Sequence, residues 1–221
     1  MEGGQARRRA RAWSLDCEAF YRVVGRQRAE LWRNGIWLPD GVQLDERCCF
    51  GDASAATKCS RISNFLVFHI RKALDEFDSL HPTQDTRWME WQRQRAVAAA
   101  AAGEMPDEVK RHSALFWIGM FIDDQMAGSA DDLLFDLEGK AVCAASGEQQ
   151  RRATAHFELA RKVLERFGWN SSESKECPPT LTITVLGVEI IMQENRWRIS
   201  GDKRSRYAEQ AKAMATSRFA E

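Results

Sequence analysis

An apolar run, Leu115 to Met120 with Phe121 and Ile122, ends abruptly in two adjacent aspartates, Asp123 and Asp124. Like charges a few ångströms apart in a poorly solvated place resist joint ionisation, so something must compensate them. A divalent cation does this best, because hard ions such as magnesium take carboxylate oxygens and keep water and substrate phosphates in their remaining positions. Asp16, closing the short stretch Trp13-Ser14-Leu15-Asp16, offers a third carboxylate. Three such acids suit two ions about 3.5–4 Å apart, the arrangement that drives in-line phosphoryl displacement. The implied chemistry is metal-dependent phosphoryl transfer, with two Mg2+ ions expected and Mn2+ as a substitute. An Asp-Asp pair alone is also a common helix cap or exposed turn, so its order and context decide between the two.

Those acids need elements to hold them. Residues 13–16 read as a strand ending at an acid, and the run ending at Asp123 reads as a strand buried on both faces, with Gln125 to Gly128 returning beside it as a hairpin. Between them, Ile62, Phe65, Leu66, His69, Ile70 and Leu74 recur at helical spacing, which predicts a long amphipathic helix over 54–77. A second helix is predicted over 148–167 from Ala153, Phe157, Ala160, Val163, Leu164 and Phe167, with Gly168 placed to end it. The stretch 85–112 is helix-prone but poor in apolar periodicity and reads as a helical insertion. Asp40-Gly41 is turn chemistry between two extended pieces. The β-branched run Leu181 to Ile190 predicts a strand with Arg196-Trp197-Arg198-Ile199 as its hairpin partner, and a final helix starts near Asp202. The fold class expected is α+β, with helices packed on one face of a mostly antiparallel sheet.

Composition excludes several alternatives. The 221 residues are 44% hydrophobic, enough for a real core, and the longest apolar run is far short of the roughly 20 residues that cross a bilayer. The arginines Arg7, Arg8, Arg9 and Arg11 are not followed by an apolar segment of signal-peptide length, so the expected compartment is intracellular, cytoplasm or nucleus. Six cysteines without C-x-x-C spacing and four scattered histidines argue for reduced thiols and against a structural zinc site. Net charge is zero, so nucleic-acid binding would have to come from local clusters such as Arg22, Arg26, Arg28 and Arg33, or Lys203, Arg204 and Arg206, which otherwise are simply solvated surface. Nothing in the sequence speaks to oligomeric state.

Five short motifs, in order, give the acids a context. Asp16-Cys17-Glu18-Ala19-Phe20-Tyr21 resembles the first catalytic motif of the reverse transcriptase family, an Asp followed by an aromatic. Phe50-Gly51-Asp52-Ala53-Ser54-Ala55-Ala56 is similar to the Phe-Gly-x-x-x-Ala-Pro motif, and Phe121-Ile122-Asp123-Asp124 to the aromatic-x-Asp-Asp hairpin. Gly168-Trp169 with Lys175 resembles the next motif, and Leu186-Gly187-Val188-Glu189-Ile190 the Leu-Gly-x-x-Ile hairpin that grips a primer end. Asp52 and Ala56 depart from the apolar residue and proline usual there, and Phe121 replaces a tyrosine.

The resemblance implies a polymerase palm over 1–200 with incomplete fingers and thumb, and a helix over 201–221 leading toward a thumb or connection segment. It implies RNA-directed DNA polymerase activity, with a primed RNA or DNA template and a dNTP as partners. Asp16 and Asp123 would hold the metals with Asp124 assisting. Tyr21 or Phe20 would gate against ribose 2′-hydroxyls, Phe50 and Gly51 would line the substrate base pair, and Leu186 and Gly187 would grip the primer. Lys175 would protonate departing pyrophosphate, or is only a solvated loop lysine. A catalytically silent remnant that binds nucleic acid or a protein is the alternative function, and a metal-dependent phosphodiesterase of another family a third.

Overall fold

Alternating apolar residues on the first strand need a cover on one side, and two helices with apolar stripes supply it. The computed structural model describes residues 10–18, 20, 35–39, 41–44 and 55–218. In chain order the elements are β1 (Ala10–Asp16), β2 (Gly35–Leu38), β3 (Gly41–Leu44), α1 (Ala55–Leu80), α2 (Thr86–Ala101), α3 (Pro106–His112), β4 (Phe116–Phe121) and β5 (Asp124–Ala130). They continue with α4 (Arg152–Arg166), β6 (Cys177–Thr180), β7 (Thr182–Val185), β8 (Val188–Ile191), β9 (Arg196–Ile199) and α5 (Gly201–Arg218). The class is α+β with antiparallel sheets, and among the described residues no helix is long and apolar enough to cross a membrane.

The central sheet has strand order β4-β5-β1-β6. Its inner face carries Trp13 and Leu15 from β1, Phe116 and Ile118 from β4, and Ala127 from β5. Against them α1 buries Leu66, Ile70 and Leu74, spaced four apart, and α4 buries Phe157, Ala160 and Leu164. Alanines at 153 and 160 let α4 lie close, and the indole of Trp13 meets Phe157 edge-on at 5.8 Å. Gly168, at φ 78°, ends α4 by letting its own N–H reach Glu165 and that of Trp169 reach Leu164, two bonds that satisfy the last free carbonyls.

Among the described residues no helix layer lies on the other face of the sheet, which is barest along β4. Side chains alternate along a strand, and in β4 the pattern is plain: Phe116 and Ile118 are buried while Trp117 is 43% and Phe121 60% exposed. The expectation of a strand buried on both faces is therefore corrected. β4 is an edge strand with helices on one side, and because its outward residues are Trp117, Gly119 and Phe121, the sequence carries no polar alternation to betray the open face. The indole of Trp117 lies across Gly128, where a Cβ would run into it.

A second correction concerns Leu181 to Ile190. The run is not one strand: it folds at Leu186-Gly187, both with positive φ (51° and 76°), into the tight hairpin β7-β8, with β9 as a third strand. Positive φ at both central residues is the twist-compatible hairpin turn, and glycine supplies one of them at no steric cost. Ile183 and Val185 of this small sheet pack on Ala12, joined by Met126 and Cys177, and so cover one end of the bare face. The 85–112 segment is filled by α2, capped by the Asp85 carboxylate accepting from Arg87 N–H at 2.9 Å, and by α3, whose Pro106 opens the helix.

Candidate active site

Strand register brings two of the acids together, and the β4-β5 turn adds the third. β1 and β5 run antiparallel with Asp16 directly opposite Asp124, and one step further Cys17 N–H donates to the Asp123 carbonyl at 3.2 Å. Directly opposed residues of such a ladder stand about 4.5–5.5 Å apart at Cα. Phe121 is the next partner across, on β4, so Phe121, Asp124 and Asp16 form one row on the bare face, at the end that β7-β8-β9 leaves uncovered.

The turn holding Asp123 is clamped from behind. Phe121 pairs with Asp124, leaving Ile122 and Asp123 as the two loop residues, and Ile122 adopts φ 59°, uncommon for a β-branched residue. Ser63, buried on α1, donates its hydroxyl to the Ile122 carbonyl, tying the turn to the helix layer. From the opposite flank the segment after α4 reaches β1: Ser172 N–H donates to the Asp16 carbonyl at 2.9 Å, and Glu18 N–H to that of Asn170 at 2.9 Å. This loop brings Lys175, whose Nζ lies 3.1 Å and 3.4 Å from the two carboxylate oxygens of Asp16.

The electrostatics are those of crowded acids. Burial, then Asp123, then Asp16 raise the pKa of Asp124, and Lys175 opposes them. Burial and the same three carboxylates push the Cys17 thiol up to about 12, which keeps it protonated and removes it as nucleophile or thiolate ligand. The hydrogen bond and charge of Asp16 in turn hold the Lys175 ammonium above its usual range. A second Asp-Asp pair at the other end of β5 shows what compensation by arginine looks like. Asp131 accepts from Arg11 at 2.8 Å and Arg151 at 3.3 Å, while Asp132 takes Arg152 through two bonds of 2.8 Å and 3.0 Å. Arg152, wholly buried, also donates to Asp78 and to the His81 carbonyl, and His156 bridges Asp78 and Ser129. That pair is structural; among the described residues the pair beside Asp16 has Lys175 as its opposing cation.

A magnesium ion fits this donor set. Among the described residues no three or more His, Cys, Asp or Glu side chains close into a ready metal cage. Magnesium does not need one, since it commonly binds through one or two carboxylates and completes its shell with water and substrate phosphate. The donors are all hard oxygens, and Asp16 already holds a cation in the form of the Lys175 ammonium.

The other expected site residues are scattered. Leu186 and Gly187 form the β7-β8 turn, with the Leu186 carbonyl accepting from Lys203 Nζ at 2.7 Å and that of Gly187 from Ser200 N–H at 3.0 Å. Phe20 is 2% exposed and stacked on Trp169 at 4.5 Å, in the core, so in this structure it presents no surface to a sugar. Tyr21, Phe50 and Gly51 lie outside the described residues. Sequence reasoning missed Ser63 and the Arg152 network. A serine mid-helix facing the apolar stripe was the available signal for the first, and Arg152 with His156 four residues on, behind a second Asp-Asp pair, for the other.

No family model matches the sequence, and no curated protein does either. Solved structures do match in fold. The foamy viral protease-reverse transcriptase in complex with RNA/DNA hybrid aligns with TM-score 0.51 at 10% identity, covering 89% of this chain and 18% of that one. The same enzyme's dRH form in complex with double-stranded DNA aligns with TM-score 0.52 at 11% identity, covering 90% and 24%. The chain thus spans under a quarter of each of these two proteins, and its fold is reverse-transcriptase-like.

Proposed function

We propose that this chain is the nucleotidyl-transfer core of a retroelement RNA-directed DNA polymerase, a palm joining a dNTP to a primer 3′-hydroxyl on an RNA or DNA template. The observation that carries the reading is the row Phe121, Asp124, Asp16, with Asp123 in its turn, at the uncovered end of a bare sheet face in a reverse-transcriptase-like fold. Asp16 and Asp123 would hold Mg2+ or Mn2+, with Asp124 assisting. When bound, such an ion neutralises phosphate charge and acidifies a hydroxyl. The chain itself fixes the spacing of Asp16 and Asp124 through the β1-β5 ladder, holds Asp123 in the adjoining turn, and keeps Cys17 out of reaction by burying it in the core. Leu186 and Gly187, in a rigid turn beside the same face, serve as the primer-gripping hairpin, and Tyr21 takes the sugar-gating role that a buried Phe20 leaves. The nucleic acids in the matched complexes support a polynucleotide ligand on the bare face. The intracellular compartment belongs to the same reading.

The test is extension of a labelled primer on RNA and DNA templates, comparing the chain with Asp123→Ala in the presence and absence of magnesium. Magnesium-dependent extension that Asp123→Ala abolishes supports the polymerase. Extension indifferent to that substitution would sink it. One feature favours a silent nucleic-acid binder as the second reading: Trp197 is 73% exposed on a strand with no buried residue, an open ring of the kind on which bases stack. Salt-dependent binding without extension, lost in Trp197→Ala, would select it.

A further inference from the structure

Lys175 has a position that the transfer reaction does not explain. Its ammonium straddles both oxygens of Asp16 at 3.1 Å and 3.4 Å, although its own side chain is 63% exposed while that of Asp16 is 15% exposed. A free surface lysine has little reason to be held there, since exposed ion pairs contribute little. The backbone explains the placement. Ser171 bridges to Cys17, Ser172 N–H is bonded to the Asp16 carbonyl, and Lys175 N–H closes a turn onto the Ser172 carbonyl at 2.8 Å. The loop is therefore stitched to the strand that carries Asp16, and its lysine stem reaches the carboxylate from a fixed anchor. The head can swing into solvent while the loop stays.

We propose that Lys175 is a built-in, displaceable counterion: it occupies Asp16 in the metal-free protein and must release it before Asp16 can ligate a divalent cation. This rests on the metal reading of Asp16 and Asp123 above. The physical need is visible in the site, where Asp16 stands opposite Asp124 with Asp123 in the adjoining turn, and where among the described residues Lys175 is the cation that opposes their charge, in place of the arginines that pair with Asp131 and Asp132 at the other end of β5. A lysine suits a temporary partner better than an arginine, being a single mobile point charge rather than a bidentate fork. Release also has a direction. The freed ammonium stays tethered beside the carboxylates, where an anionic polyphosphate arriving with the metal becomes its next partner.

The experiment is Mn2+ titration of the full chain without nucleotide, reading free ion by its electron paramagnetic resonance signal, for the wild type, Asp123→Ala, Lys175→Met and Lys175→Arg. Removing a competitor of exposed ion-pair strength should tighten binding about two- to five-fold in Lys175→Met, whereas Lys175→Arg, which keeps the charge, should not gain. In parallel, Mg2+ should raise acylation of Lys175 by an amine-reactive ester, followed by peptide mass spectrometry, in the wild type and not in Asp123→Ala. If wild-type binding falls with Asp123→Ala but Lys175→Met binds no more tightly and labelling ignores Mg2+, the metal site stands and the displacement is overturned. If neither the wild type nor Lys175→Met binds Mn2+ saturably, the metal reading and the displacement fall together.

Discussion

Replacing Gln125 by methionine should stabilise this protein. Gln125 follows the candidate metal-binding Asp124 on β5 but points to the opposite face, into the helix-covered core, where it is fully buried. Among the described residues neither its amide nitrogen nor its amide oxygen has a hydrogen-bond partner. Burying an amide without partners costs about 1–3 kcal/mol in protein mutational data. Methionine is close in length and unbranched, and volume-conserving changes of this kind usually cost under about 1.5 kcal/mol. The net gain should be about 1–2 kcal/mol, which in a chain of this size raises Tm by roughly 2–8 °C. Urea unfolding followed by tryptophan fluorescence measures it directly. The midpoint should rise with an unchanged denaturant slope. A loss of more than about 1 kcal/mol would refute the reasoning, because it would mean that the amide is satisfied in the folded chain. A stabilised variant with impaired primer extension would identify the amide as a stability sacrifice made beside a working site.

Arg152→Met should cost about 3–5 kcal/mol in the same urea assay, since it leaves Asp78 and Asp132 without their buried cation; a loss below about 1 kcal/mol would show that the network relaxes freely. Asp124→Asn should raise the melting temperature at pH 7, because the raised pKa of Asp124 means that its ionised form is disfavoured in the folded state. The contribution of the protonated acid is present below its unfolded pKa and lost as pH rises through the higher folded value, so the advantage of asparagine should shrink as melts are taken from pH 7 toward pH 4. Gly187→Ala should destabilise by about 1–2 kcal/mol through its left-handed backbone. Its Cβ would also push Lys203 off the Leu186 carbonyl. Gly187→Asn, measured alongside, should lose less.

Helices α1 and α4 were readable because their burial follows from a local period: Leu66, Ile70 and Leu74 repeat every fourth residue, and Gly168 marks the stop without reference to anything distant. The acid-bearing strand ends were readable for a different reason, since a carboxylate after an apolar run must leave the core somewhere. What was hidden depends on partners far along the chain. The bare face of β4 could not be seen because its outward residues include Trp117 and Phe121, aromatics whose exposure is decided by what the fold places against them and not by the strand's own pattern. The break at Leu186-Gly187 was hidden from the residue pattern by β-branched residues on both sides, and the resemblance to a Leu-Gly-x-x-Ile hairpin was what pointed to it. Arg152 reads as a solvated helix residue and lies wholly buried, a position set by Asp78 and Asp132. The bond from Lys175 to Asp16 likewise belongs to the fold, because it exists only once β1 has been laid beside the loop after α4.

The place of β1 between β5 and β6 has a consequence for how the chain is made. Its first neighbour begins at Asp124, about a hundred residues downstream, and its second still later. At synthesis rates of about 5–20 residues per second, β1 waits on the order of ten seconds after it emerges before any central-sheet partner exists. During that interval Trp13 and Leu15 are exposed on an unpaired strand, a state that invites association with other chains or capture by a holdase. Closing so long a loop is slow, and the acids come together only when it closes. Asp16 therefore gains its companions among the last events of folding, and metal affinity should appear in refolding experiments as a late phase, after the helical signal has already recovered.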